Sequence, residues 1–140
     1  DASVQFEHKW AAFGRFRHNL RYSWVEKYET NGNDAIGTFG APRERATVGT
    51  NWSMGPFSAQ WNINMIGKHG DDNVGYVDAY TTHDLQFSYD TPIKGVKLSV
   101  GAINVTGKLP QLVSDDTRPF NFNLYDAYGA TYYGKVKVSF

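Results

Sequence analysis

Apolar and polar residues alternate singly along most of this chain, and the spacing of a helix is hard to find. Val4, Phe6, His8, Trp10 and Ala12 alternate with Gln5, Glu7, Lys9 and Ala11. After a short turn at Phe13-Gly14-Arg15, Phe16, His18, Leu20, Tyr22, Trp24 and Tyr28 oppose Arg17, Asn19, Arg21, Ser23 and Lys27. A glycine-rich loop, NGNDAIGTFGAP, leads to Ala46, Val48, Thr50, Trp52 and Met54, set against Arg45, Thr47, Gly49, Asn51 and Ser53. Gly55-Pro56 turns the chain into Phe57, Ala59, Trp61, Ile63 and Met65, against Ser58, Gln60, Asn62, Asn64 and Lys68. Past the polar loop at GDDNVG, Leu85, Phe87 and Tyr89 oppose Asp84, Gln86, Ser88 and Asp90. The turn TPIKG precedes Val96, Leu98, Val100 and Ala102, set against Lys97, Ser99 and Gly101. A long irregular stretch from Val105 to Ala130 separates these from a last strand. There Tyr132, Val136, Val138 and Phe140 oppose Tyr133, Lys135, Lys137 and Ser139.

The pattern predicts seven strands whose connections alternate between short turns and long loops. An antiparallel meander of this kind is the topology of an outer-membrane barrel. Ten residues at ~3.3 Å each, tilted ~45°, span about 23 Å, close to the ~25 Å apolar band of such barrels. A soluble β-sandwich or a lipocalin-like barrel alternates in the same way and is the competing reading.

Charge and aromatic placement bear on that choice. Among the charges in the predicted strands, the apolar face carries only Glu26, near a loop-side end, while the other face carries Glu7, Lys9, Arg17, Arg21, Lys135, Lys137 and several more. At the short-turn end the apolar face presents Trp10, Phe16, Trp52, Phe57, Tyr89 and Phe140, an interfacial girdle for a membrane barrel. The loop-side girdle (Trp24, Tyr28, Tyr132) is thinner. Seven strands leave two open edges, which hydrocarbon cannot satisfy. The expectation is therefore an all-β, transmembrane antiparallel barrel segment, residues 1–140 supplying part of a larger barrel whose other strands lie elsewhere.

Composition narrows the classes further. Aromatic residues make up 16% of the 140 residues, mean hydropathy is −0.51, and 14 basic residues balance 14 acidic ones. Zero net charge offers nothing to a polyanion, so no nucleic-acid partner is expected. The absence of cysteine excludes disulfides and zinc–thiolate sites. No apolar run reaches the ~18 residues of a transmembrane helix. No basic, apolar-cored leader opens the chain, which reads as a mature segment or an internal fragment.

Two segments carry a family likeness. HDLQFSYDTPIKGVKLSVGAINVTGKLP (83–110) and YDAYGATYYGKVKVSF (125–140), separated by a long loop, resemble the C-terminal end of TonB-dependent outer-membrane receptors. In that family the penultimate strand typically ends in Asn followed by a hydrophobic–Asp–Lys–Pro-like run. Asn104, Val105, Thr106, Gly107, Lys108 and Pro110 occupy it here, Gly107 standing where an acid is common. The last strand typically opens with Gly-Arg and an aromatic pair and closes on Phe. Gly129, Ala130, Tyr132, Tyr133 and Phe140 fill those places, with Ala130 in place of the arginine. Over residues 1–79 the resemblance is one of architecture.

The resemblance implies the last seven strands of a 22-stranded type of barrel with an N-terminal plug. It implies import of a scarce nutrient (siderophore, cobalamin or oligosaccharide) driven through TonB, which engages the plug. The implied partners are outer-membrane lipid, the rest of the barrel and plug, TonB, and the barrel-assembly machinery, for which Phe140 is the recognition signal. A porin or a barrel enzyme is the alternative.

Candidate chemistry is sparse. His8, His18, His69 and His83 show no ligand spacing on a common face, so no metal or cofactor is assigned. Asp71-Asp72 and Asp115-Asp116 lack the spacing of a dedicated calcium loop. No catalytic residue follows from spacing. Asn51-Trp52-Ser53 and Asn104-Val105-Thr106 match the glycosylation pattern but fall in predicted strands. The long loops are the better candidates for ligand contact: Asp71, Asp72 and Tyr76 in one, Arg118, Phe120, Phe122, Tyr125 and Tyr128 in the other. A loop folded over its own aromatics is the structural alternative. Arg17, Arg21, Asn62, Asn64, Gln86, Lys135 and Lys137 are expected to face the lumen and a plug.

Overall fold

The computed structural model describes residues 1–38, 40–71, 74–113 and 119–139. Seven long strands form one antiparallel sheet: β1 (Ala2–Trp10), β2 (Gly14–Trp24), β5 (Glu44–Met54), β6 (Phe57–Ile66), β9 (Tyr80–Asp90), β10 (Val96–Ile103) and β11 (Thr131–Val138). Their order in the sheet is their order in the chain. Two short hairpins ride on the loops: β3 (Glu29–Thr30) with β4 (Asn33–Asp34), and β7 (His69–Asp71) with β8 (Gly75–Val77). The sheet is open, with β1 and β11 at its edges.

The register keeps each predicted face intact. One row of cross-strand neighbours reads Phe6, His18, Thr50, Trp61, Leu85, Ala102 and Tyr132, across all seven strands. The row one residue over, on the opposite face, reads Glu7, Arg17, Asn51, Gln60, Gln86, Gly101 and Tyr133. Because side chains alternate with period two, a slip of one residue in any strand would mix these faces.

Several elements differ from the pattern, β6 also ending at Ile66 rather than Lys68. β2 stops at Trp24 rather than Tyr28, because its neighbour β5 begins at Glu44. Glu26 is thereby placed in the loop, where Arg43 Nη1 donates to its carbonyl at 2.9 Å. The acid on the apolar face of the described strands is instead Glu44, at the loop end, accepting from the Tyr22 hydroxyl at 3.0 Å. β9 begins at Tyr80, earlier than Asp84, since β6 offers ladder partners up to Ile66. The β3–β4 hairpin turns on Asn31-Gly32, whose φ angles of 53° and 80° are those of a primed two-residue turn.

The buried apolar cluster does not lie on the apolar face of the sheet. Among the described residues it comprises Val77, Tyr80, Val113, Phe120 and Tyr125, with Ile66 and Leu124 packed against it, all at the long-loop end. On the apolar face Val4, Val100 and Val136 are at least 60% exposed. A soluble sandwich would bury that face against a second large sheet, and among the described residues the other sheets are the two short hairpins alone. The Trp52 indole N–H donates to the Phe13 carbonyl at 2.6 Å, tying the first short turn to the aromatic band.

Candidate functional site

The polar face is a hydrogen-bonded wall. Glu7 accepts from Arg17 at 3.1 Å and lies 3.5 Å from Arg15. Asn64 Nδ2 donates to Asp84 Oδ2 at 2.9 Å, and the other Asp84 oxygen takes the Asn104 backbone N–H at 2.8 Å. Gln60 donates to Asn62 at 3.4 Å, and Ser88 and Ser99 share a bond at 2.8 Å. Tyr133 donates its hydroxyl to Gln86 Oε1 at 2.9 Å. Lys97, opposite Lys137 in the ladder, is neutralised from its other side by Asp90 at 3.2 Å. Arg17, Arg21, Asn62, Asn64, Gln86, Lys135 and Lys137 all lie on this face.

At the long-loop end three loops pack together. The β7 backbone meets the loop around β3 and β4 through the Gly70 N–H, which donates to Gly37 O at 2.5 Å. His69, 2% exposed, joins β7 to the longest loop. Its Nδ1 bonds Gly70 O at 2.9 Å, which assigns the proton to that nitrogen. Nε2 is then the acceptor for the Tyr125 hydroxyl at 2.8 Å. Burial pushes that hydroxyl above the ordinary tyrosine range, with Arg45 acting the other way. Tyr80 stacks edge-on against Tyr125 and donates to Lys108 O at 2.8 Å. Asn104, at a φ of 50°, clamps the same return: its Nδ2 donates to Lys108 O and its Oδ1 accepts the Lys108 N–H.

This packing divides the loop candidates. Phe120 and Tyr125 belong to the buried cluster, and Asp71 is 4% exposed with Oδ1 accepting the Val74 N–H. Tyr76, Phe122 and Tyr128 stand exposed at the rim, at 55%, 60% and 73%. Lys68 Nζ sits 4.9 Å from the Tyr76 ring centroid. Asp72, Asp115, Asp116, Arg118 and Phe140 lie outside the described residues.

Under the returning end of the longest loop, against the polar wall, is a cavity of about 420 Å³. The wall contributes Asn64, Thr82 and Asp84, the loop Asp126 and Tyr128, and β11 Thr131. A larger open hollow of about 860 Å³ lies on the apolar face, where Ala59 and Ala102 sit among Trp52, Trp61 and Phe87.

The histidines have separate surroundings. His8 and His18 stack at 5.3 Å within a ladder of Phe6, Phe16 and Trp10. Parallel rings aim their nitrogens along parallel planes rather than at one ion. His18 Nδ1 bonds Thr50, and His83 accepts from the Trp61 indole at 3.2 Å. Among the described residues no three potential ligands converge on a metal position. The role of His69 gave no sequence signal, since its partner lies 56 residues away. Asn104, within one glycosylation pattern, is just past β10 and only 5% exposed.

Searches among curated proteins and among solved structures each gave no match. The family model described as TonB dependent receptor-like, beta-barrel matches residues 1–105. That match takes in residues 1–79, where the sequence offered likeness of architecture alone. With a sheet whose apolar face is uncovered and whose polar face is internally bonded, the chain belongs to the TonB-dependent receptor β-barrel family, a family of outer-membrane transporters.

Proposed function

We propose that the chain forms the last seven strands of a 22-stranded type of receptor barrel, which binds a scarce nutrient at its outer rim and passes it to the periplasm. The observation that carries this reading is the contrast between the two faces of one open sheet. An uncovered apolar face suits acyl chains, and a polar face of paired side chains suits a lumen filled by a plug. The plug is the route by which TonB would act. Arg17, Arg21, Asn62, Asn64, Gln86, Lys135 and Lys137 serve as wall against it rather than as chemistry. Phe140 would mark the chain for barrel assembly.

The rim supplies the ligand contacts, with Tyr76, Phe122 and Tyr128 as exposed rings and Asp72 and Arg118 as further candidates. Phe120, Tyr125 and Asp71 support that rim from within. The test is uptake by cells carrying the full-length receptor, with labelled ferric siderophore, cobalamin and neutral oligosaccharide as probes. TonB-dependent uptake of one probe is expected, and the Tyr76→Ala, Phe122→Ala, Tyr128→Ala triple variant should reduce it. Uptake independent of TonB, or no uptake of any probe, would count against the transport reading.

A further inference from the structure

The cavity of about 420 Å³ beneath the longest loop falls within the usual size range of small-molecule sites. It opens where the polar wall meets the rim, so a ligand held by the exposed rings would reach it next. Among the described residues its lining carries two carboxylates, Asp84 and Asp126, and no lysine or arginine. Among the described lining residues, an anionic ligand would meet both charges without a compensating cation.

The remaining lining suits a neutral ligand with many hydroxyls. Each oxygen of Asp84 already accepts a bond, from Asn64 and from Asn104, so it holds the wall in place. Asp126 takes the Tyr128 N–H on Oδ1, and among the described residues its Oδ2 has no partner. The hydroxyls of Thr82, Tyr128 and Thr131 are likewise uncommitted among the described residues, and each both donates and accepts. Hydroxyl ligands need that mixture, because every sugar O–H is donor and acceptor at once. Ile66, Ile103 and Leu124 add apolar surface for the C–H face of a sugar ring, which a compact cation would not use.

We infer that this cavity receives a neutral polyhydroxylated ligand, an oligosaccharide segment rather than an anionic metal chelate, with Asp126 and Tyr128 as its principal contacts. The inference rests on the transport reading and specifies its substrate class. The experiment uses the purified full-length receptor in detergent, titrated with a panel of neutral oligosaccharides and with an anionic ferric chelate, followed by calorimetry. Binding of at least one oligosaccharide is expected, weakened roughly tenfold by Asp126→Asn and by Tyr128→Ala, the loss of one charged hydrogen bond or one ring contact. Tighter binding of the anionic chelate, failure of every oligosaccharide, or unchanged affinity in both variants would overturn it. TonB-dependent uptake of the chelate would leave the transport reading standing while the substrate class falls. Absence of TonB-dependent uptake for every probe would remove the transport reading itself.

Discussion

Gly101 and Tyr133 face each other across β10 and β11 on the polar side, and the tyrosine ring lies over the glycine. A Cβ built at Gly101 would sit 2.4 Å from the ring carbon that bears the hydroxyl, so any larger residue must push the ring off its place. Gly101→Val is therefore expected to destabilise the barrel by ~1–3 kcal/mol, an overpacking cost, measured by denaturant unfolding of the refolded full-length barrel. Tyr133→Phe keeps the ring and loses only the bond to Gln86, which puts its cost at ~0.5–1.5 kcal/mol. No loss in Gly101→Val would show that the ring's position is unimportant. A second residue-scale effect concerns pH. Asp34 accepts the N–H groups of Tyr28 and Ile36, and these bonds hold its carboxyl below the ordinary value of 3.8. A depressed folded value means the contribution is complete above that ordinary value and lost as pH falls through the lower folded one. Amide exchange at Tyr28 and Ile36, corrected for intrinsic rates, should accelerate below the ordinary carboxylate range. Asp34→Asn should flatten that response.

At the scale of elements, the strands and the loops answer to different forces. On the strands, the face decides the cost of a charge. Val100→Arg and Val136→Arg place a guanidinium on the uncovered apolar face and should each cost ~2–4 kcal/mol at the bilayer midplane. Lys137→Arg, on the opposite face, should be close to neutral in the same unfolding assay. Comparable tolerance at the three positions would contradict the orientation of the sheet. In the loops, one buried bond joins β7 to the longest loop. Tyr125→Phe leaves His69 Nε2 buried without its donor, a local penalty of ~1–3 kcal/mol. Hydrogen exchange should rise in residues 67–71, 74–79 and 119–130 of this variant, while the seven strands keep their protection. Spread of the loss into β9 or β10 would mean that the loops brace the sheet rather than ride on it.

For the whole molecule, the two open edges are the controlling fact. β1 and β11 each present an unpaired row of amides and carbonyls, and neither face of the sheet has a covering layer among the described residues. In hydrocarbon such edges are untenable, so a spanning sheet must be closed by other strands. Residues 1–140 expressed alone should aggregate, whereas the full-length receptor should form a compact species in detergent that shifts its gel mobility on heating. A compact, heat-modifiable species from the 140-residue segment alone would contradict membership in a larger barrel.

The division between sequence and tertiary structure follows from range. Alternation marked the seven strands and the residues on each face, because side-chain direction in a strand has period two and needs no distant information, and the short and long connections marked their sequential order. The register agrees with that reading along whole rows, from Phe6 to Tyr132 and from Glu7 to Tyr133. Boundaries were less legible: β2 stops where β5 ceases to offer partners, and Glu44 rather than Glu26 is the acid on the apolar face. The rim was least legible. Which loop aromatics are buried depends on His69 meeting Tyr125, and the cavity exists only where the return of residues 119–130 faces Asn64 and Asp84. No local pattern encodes those meetings, since they arise when separate loops share one small core. Strand identity is a property of neighbouring residues, and the shape of the rim is a property of contacts across the chain.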